Sequence, residues 1–205
     1  MTGFLCKKEK RMTKVYFVRH AQPDFSHYTD MTRPLTAEGE KDSKKVTEFF
    51  KDIKIDTFYC SPYKRSLDTI KGAADFHKKE IVTDIRLRER EKGQGGNNHG
   101  MFQKRWADHD YHEAGGESIG MVQSRNMEAL KDILEANEGK TLVIGTHGTA
   151  LSTILNYYDK DFGCKEFLRI IDWMPYIVEL DFEGDNMISK TEHLHIEKEF
   201  KAKER

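Results

Sequence analysis

Val15-Tyr16-Phe17-Val18-Arg19-His20 is a run of four apolar residues that stops at an arginine and a histidine. Short apolar runs bounded by turn residues read as buried strands of a parallel sheet. A second run, Thr141-Leu142-Val143-Ile144, leads in the same way into Gly145-Thr146-His147-Gly148. In open α/β sheets, ligands bind just beyond the carboxyl ends of the strands. The two runs therefore deliver two histidines and an arginine to that face, which points to an enzyme acting on an anion.

Outward from the first strand, residues 21–34 form a polar loop too long for a tight turn, and long loops in compact domains are often functional. Thr36 reads as a helix N-cap, with Glu38 and Glu40 in the first turn and Val46, Phe49, Phe50 and Ile53 at helical spacing. Thr57-Phe58-Tyr59-Cys60 predicts a strand, and Ser61-Pro62 predicts the cap and first position of the next helix. That helix buries Leu67, Ile70, Ala73, Ala74 and Phe76 and carries Arg65 in its first turn, where a helix N-terminus favours an anion. Ile81-Val82-Thr83 is a third strand, followed by the charged stretch 86–92 with its Leu87-Arg88-Glu89.

Residues 93–116 are rich in Gly, Asn and His and predict one short helix, over about 101–108. A helix over 117–135 faces inward through Val122, Met127, Leu130 and Ile133 or Leu134, and another follows over 149–158. Tyr176 to Phe182 and Met187 to Thr191 flank Glu183-Gly184-Asp185-Asn186 as an edge hairpin.

The 205 residues suit one sizeable domain with an inserted cap. The expected organisation is a disordered extension over 1–13, a single domain over 14–196 with its cap at about 93–116, and a charged tail over 197–205. Charged residues are 34% of the chain and cancel to a net charge of -1, so bulk electrostatics leaves no footprint for nucleic acid or an anionic membrane. Cys6, Cys60 and Cys164 lack metal or disulfide spacing and read as reduced, cytoplasmic thiols. No apolar run is long enough to span a bilayer, and the basic first 13 residues lack the apolar core of a signal peptide. Met12 offers an alternative start.

Several features are set aside. Gly139-Lys140-Thr141 precedes a strand and has Leu134 where a phosphate loop needs glycine. Gly93-Gln94-Gly95-Gly96 lacks the strand-turn-helix setting of a dinucleotide site, and His193-x-His195 has no third ligand in view. Trp106, His109, Tyr111 and His112 in the cap either shape a substrate mouth or cover the edge of the sheet.

Six segments in order resemble the histidine phosphatase superfamily, the phosphoglycerate mutase-like family. They are Arg19-His20-Ala21, Leu35-Thr36-Ala37-Glu38-Gly39, Ser61 to Arg65, Leu87-x-Glu89-x-x-x-Gly93, Gly116-Glu117-Ser118 and His147-Gly148. The resemblance implies an α/β fold, a three-layer α/β/α sandwich with a central, mostly parallel sheet and a small cap. It implies a histidine acid-type phosphatase that needs no metal or other cofactor and acts on a small phosphorylated metabolite. His20 is then the nucleophile, kept neutral by the like charge of Arg19 and Arg65. Arg19, Arg65 and His147 hold the phosphoryl oxygens, with Gly148 and Thr149 as further donors at the next helix start. Glu89 is general acid and then base, a role that favours a partly desolvated carboxyl; Glu91 and Asp24 are its rivals.

The chain departs from the family pattern just after the nucleophile, with Ala21 for Gly, Pro23 for a Thr or Ser, and Ser26 where many members have a phosphate-binding Asn. Ser26 or His27 is a candidate substitute donor. The alternatives are a phosphoglycerate mutase, which family members achieve with longer chains that close the site, and a catalytically silent phospho-ligand-binding member. The substrate and the oligomeric state stay open.

Overall fold

The computed structural model describes residues 11–199. Of the expected extension over 1–13, residues 1–10 with Cys6, and of the expected tail over 197–205, residues 200–205, lie outside the described residues. Six strands, β1 (Met12–Arg19), β2 (Thr57–Cys60), β3 (Ile81–Thr83), β4 (Thr141–Thr146), β5 (Trp173–Glu183) and β6 (Asn186–Glu197), form one sheet in the order β3-β2-β4-β1-β5-β6. The first four pair in parallel, and β5 runs antiparallel to both β1 and β6.

Alternation along β1 sends Val15 and Phe17 into one core and Tyr16 and Val18 into the other. Helices α1 (Ala37–Phe50) and α2 (Lys64–Phe76) close the second core. Helices α3 (His99–Ala107), α4 (Ile119–Ala136), α5 (Gly148–Tyr158) and α6 (Cys164–Ile170) close the first. The result is a three-layer α/β/α sandwich with a mostly parallel sheet. Side-chain caps start the helices where the chain supplies them: Thr36 accepts from Gly39, Asn98 from Met101 and Ser118 from Met121. Each such cap contributes about 1 kcal/mol.

Register brings the strand ends level. Arg19 lies opposite Thr146, Cys60 lies opposite Gly145, and the chain stays stitched one residue further through His20 N to Thr146 O and Ser61 N to Gly145 O. His20, Ser61 and His147 therefore leave the sheet side by side.

Four local expectations are corrected. Helix α2 begins at Lys64 with Tyr63 as its N-cap, and the Ser61 hydroxyl, bonded to His147, accepts from Tyr63 N at 3.3 Å and from no N–H inside the helix. Phe76 is half exposed, since it lies on the last turn beyond the buried face. Helix α6 was not anticipated, as seven residues are too few to display a period. Strands β5 and β6 are longer than the apolar pattern indicated, because β6 is an edge strand whose Lys190, Glu192 and His195 keep the ladder without apolar alternation.

At the margins, β1 takes in Met12 and the buried Thr13. Glu197 pairs with Trp173, and the Lys198 ammonium reaches the buried carboxylate of Asp42 at 2.6 Å. His193 is bonded to Glu179 at 2.8 Å and His195 stacks on Trp173 at 3.9 Å, so the two engage different partners.

Candidate active site

A cleft of about 700 Å³ opens above the carboxyl ends of β1 and β4, with Arg19, His20, Arg65, Glu89 and Gly148 in its walls. Ala21 N donates to the Thr69 hydroxyl at 2.9 Å, which ties the chain just after His20 to α2. The loop that follows is pinned at Gln22, whose carbonyl accepts from Thr36 N at 3.0 Å. A side chain at Gly39 would overlap that same carbonyl, which is why glycine is required in the first turn of α1.

His20 has a defined tautomer. Its Nδ1 donates to the Ala21 carbonyl at 2.8 Å, and a carbonyl can only accept, so Nδ1 carries the proton. Its Nε2 is unprotonated, its one lone pair accepts from Arg65 Nε at 3.2 Å, and the residue lines the cleft. Burial, and then the charges of Arg65 and Arg19, push the His20 pKa well below the ordinary histidine range. Desolvation leads here, ahead of the like-charge effect read from the sequence.

Arg19 is buried by α6, the helix the sequence did not reveal. Its Nη1 and Nη2 donate to the carbonyls of Ile170 and Ile171 at 2.6 and 2.8 Å, at the end of that helix. Its buried Nε has no partner among the described residues. Burial lowers the Arg19 pKa to about 10 against the opposing pull of Glu89 and Asp172. Gly148 makes room for this side chain, since a Cβ there would stand 3.2 Å from the guanidinium carbon. Arg65 sits in the first turn of α2 as expected, and burial lowers its pKa while Asp30 and Glu89 raise it.

Glu89 departs from its expected setting. One carboxylate oxygen accepts from Thr149 N at 3.0 Å, and the other accepts from Ala150 N at 3.2 Å and Arg90 N at 2.7 Å. It is thus clamped at the N-terminus of α5, where the helix dipole favours a carboxylate. Gly116-Glu117-Ser118 explains how that clamp is held. Glu117 binds Arg88 and Arg125 at 2.7 Å each, and Arg125 in turn donates to the carbonyls of Arg86, Arg88 and Glu89.

His147 is fully buried and does not form part of the cleft wall. Its ring stands 5.2 Å from that of His20, its Nε2 bonds to Ser61 Oγ at 2.8 Å, and its Nδ1 has no partner among the described residues. Burial, followed by Arg65 and His20, keeps its pKa far below the usual value. Ser26 spends its hydroxyl and backbone N–H on Asp24, and His27 bonds to Thr32, so neither replaces the missing phosphate donor. Asp24 is likewise absent from the cleft wall, whereas Glu91 lines it with a half-exposed side chain.

This arrangement of a neutral histidine unprotonated at Nε2, two buried arginines and a carboxylate at a helix start is suited to phosphoryl transfer. Residues 15–187 match the family described as histidine phosphatase superfamily (branch 1). The chain belongs to the histidine phosphatase superfamily. Among this member's relatives, the uncharacterized phosphatase PhoE of Bacillus subtilis (strain 168) is 29% identical over 154 residues, covering 70% of this chain and 76% of that one. The probable phosphoglycerate mutase GpmB of Enterobacter sp. (strain 638) is 27% identical over 166 residues, covering 71% and 74%. The native structure of a mycobacterial glucosyl-3-phosphoglycerate phosphatase superposes with a TM-score of 0.72 at 17% identity, covering 89% of this chain and 97% of that one, which speaks for the fold.

Within this superfamily member, several cleft residues escaped the sequence reading. Asp30 and Arg33 come from the long loop, where no period marks them, and Arg90 and Lys92 from the charged stretch. Arg105 looks like a surface charge in the sequence but is buried on Glu113 at 2.8 Å, with Asn97 and Gly96 completing its bonds. Trp106 packs on Phe162 and Phe167 and His109 packs on Trp106, while Tyr111 lies under the Lys104 ammonium and His112 is exposed; none of the four lines the cleft.

Proposed function

We propose that this protein is a metal-independent phosphomonoesterase that hydrolyses a small phosphorylated metabolite through a phosphohistidine on His20. The observation that carries the reading is the His20 tautomer, with the Nδ1 proton directed to Ala21 O at 2.8 Å and Nε2 unprotonated, its one lone pair held by Arg65 Nε at 3.2 Å until that bond gives way to phosphorus. A nucleophilic histidine must be neutral at its attacking nitrogen, and burial between two arginines provides that.

In this reading the Nε2 lone pair attacks phosphorus in line with the ester oxygen. The P–O bond breaks, its electron pair leaves on the alkoxide, and Glu89 in its acid form donates a proton there. Glu89, then a carboxylate, takes a proton from water as the water oxygen attacks phosphorus, and the N–P pair returns to Nε2. Backbone N–H groups hold both Glu89 oxygens; Oε1 accepts two such bonds, and Oε2, which accepts one, keeps a lone pair for the proton. Arg19, through its unpartnered Nε, and Arg65 stabilise the charge on the transferring group. His147 reaches the phosphoryl group only if the pocket opens by a side-chain shift, and otherwise supports His20 from behind.

The test is phosphate release from p-nitrophenyl phosphate, phosphoserine and 3-phosphoglycerate in EDTA by wild type and His20→Ala. Release that disappears with His20 supports the reading. Conversion of 3-phosphoglycerate to 2-phosphoglycerate without release would replace it with a mutase, the activity named for the Enterobacter relative.

A further inference from the structure

The guanidinium of Arg65 is already engaged by the protein itself. Its Nε donates to His20 Nε2 at 3.2 Å. Its Nη1 donates to the Asp30 carbonyl at 2.8 Å and to Asp30 Oδ1 at 3.2 Å, and its Nη2 reaches Asp30 Oδ2 at 3.4 Å. Two terminal nitrogens facing two oxygens of one anion is the fork that arginine also offers to phosphate. We infer that Asp30 is the internal counter-anion of the phosphoryl site, its carboxylate occupying Arg65 in the resting protein and giving up that place to the incoming phosphomonoester. The inference rests on the assignment of Arg65 to the phosphoryl group made above.

Burial separates the two partners. The Arg65 side chain is 4% exposed and that of Asp30 is 46% exposed, so only the carboxylate has water to move into. A buried guanidinium with no counter-ion is costly, and the resting cleft concentrates Arg19, Arg33 and Arg65 around one neutral histidine. Asp30 offsets that concentration until a substrate does.

Asp30 also has somewhere to go. Arg33 donates from Nη1 to the same Oδ1 that Arg65 uses. Arg33 is itself held by the His27 carbonyl through Nε at 3.2 Å, and its side chain is 16% exposed. Release from Arg65 therefore leaves the carboxylate paired.

Arg65, for its part, does not depend on the carboxylate for its position. The shorter of its contacts to Asp30 is to the main-chain carbonyl, and Nε remains on His20. The loop that has Pro23 in place of a Thr or Ser, and whose Ser26 donates to Asp24, thus presents an acceptor to the site instead. This predicts that Asp30 weakens anion binding, which limits retention of the phosphate product. A residue that merely positioned Arg65 would strengthen it.

The experiment is calorimetric titration of inorganic phosphate into wild type, Asp30→Asn and Asp30→Ala, with Arg65→Ala as the site control. Both Asp30 variants keep the main-chain carbonyl and lose the competing charge. Phosphate is expected to bind both about two- to fivefold more tightly, the range for a half-exposed ion pair. The KM for p-nitrophenyl phosphate should fall in step, with phosphate becoming the stronger product inhibitor. Equal or weaker binding by both variants, with wild-type binding intact and abolished by Arg65→Ala, would overturn the inference and leave the catalytic reading standing. No binding by wild type, or binding that survives Arg65→Ala, would overturn the assignment of the site and this inference with it.

Discussion

Arg65 Nε donates to Nε2 of His20 across 3.2 Å, joining the first turn of α2 to the end of β1 at the unprotonated ring nitrogen. This bond aims the imidazole and holds a cation beside it without protonating it. It also means that Arg65 serves two partners, since the terminal nitrogens of the same group face the anion position.

Arg65→Lys tests that dual service. An ammonium is a point charge and cannot donate to His20 and to a phosphoryl group from one rigid fork. With the buried surface of α2 unchanged, kcat/KM for p-nitrophenyl phosphate should fall by about 10²–10³, the usual loss for one charge-stabilising donor. A loss under fivefold in a folded variant would move phosphate binding to other groups.

Glu89→Gln separates acid catalysis from structure. The amide oxygen can still accept at the start of α5, so the helix should keep its cap, while the proton donor is gone. Hydrolysis of phosphoserine, with a poor leaving group, should fall by about 10²–10⁴ and that of p-nitrophenyl phosphate far less. Equal losses on both would transfer the acid role to Glu91, the other carboxylate in the cleft wall.

Gly148→Ala probes the close approach of backbone to Arg19. The added methyl would stand 3.2 Å from a guanidinium carbon pinned by two carbonyls, so Arg19 must shift. An activity loss of about 10-fold or more is expected, with a thermal midpoint within a few degrees of wild type, because misplacing an electrostatic donor costs rate. Unchanged kinetics would remove Arg19 from the phosphoryl site.

The two buried histidines set a pH dependence. Both have folded-state pKa values well below 6.5, mainly from burial. Above pH 6.5 neither the folded nor the unfolded state binds the proton, and stability is flat with respect to these groups. As pH falls below 6.5, the unfolded chain takes up protons that the folded chain refuses, so stability falls by up to about 1.4 kcal/mol per histidine per pH unit. Urea melts at pH 7.0 and 5.5 should show this loss, reduced in His147→Gln. The depressed His20 pKa also keeps the nucleophile neutral in mild acid, so kcat/KM should show no acid limb near pH 6.5. A limb there would place His20 in an ordinary, solvated setting.

The parts of this site that could be read from sequence are those that secondary structure delivers. His20 and His147 follow apolar strands, Arg65 opens a helix, and Glu89 lies three residues before the end of the charged stretch at Lys92. Their side-chain types fit the chemistry, and the strand ends place them together. What stayed hidden depends on partners far away in the chain. Asp30 reaches Arg65 across 35 residues, Arg125 holds the Glu89 carbonyl across 36, and Arg19 is bound by an α6 too short to announce itself. Ser61 was read as a helix cap because a local rule favours it there; its hydroxyl accepts from Tyr63 N, one residue short of the helix, and also bonds to the distant His147. Glu89 was expected to be poorly solvated, and the backbone N–H groups of α5 show why a local reading could not see its partners.

The central claim is a covalent phosphoryl group on Nε2 of His20, and acid-free rapid quench of the enzyme with p-nitrophenyl phosphate, followed by peptide mass spectrometry at alkaline pH, tests it most directly. The account predicts one phosphate on the peptide that contains His20, lost on acid treatment, enriched in Glu89→Gln with this activated ester and missing in His20→Ala. Turnover of the same substrate with no label on His20, or a label that persists in His20→Ala, would contradict it.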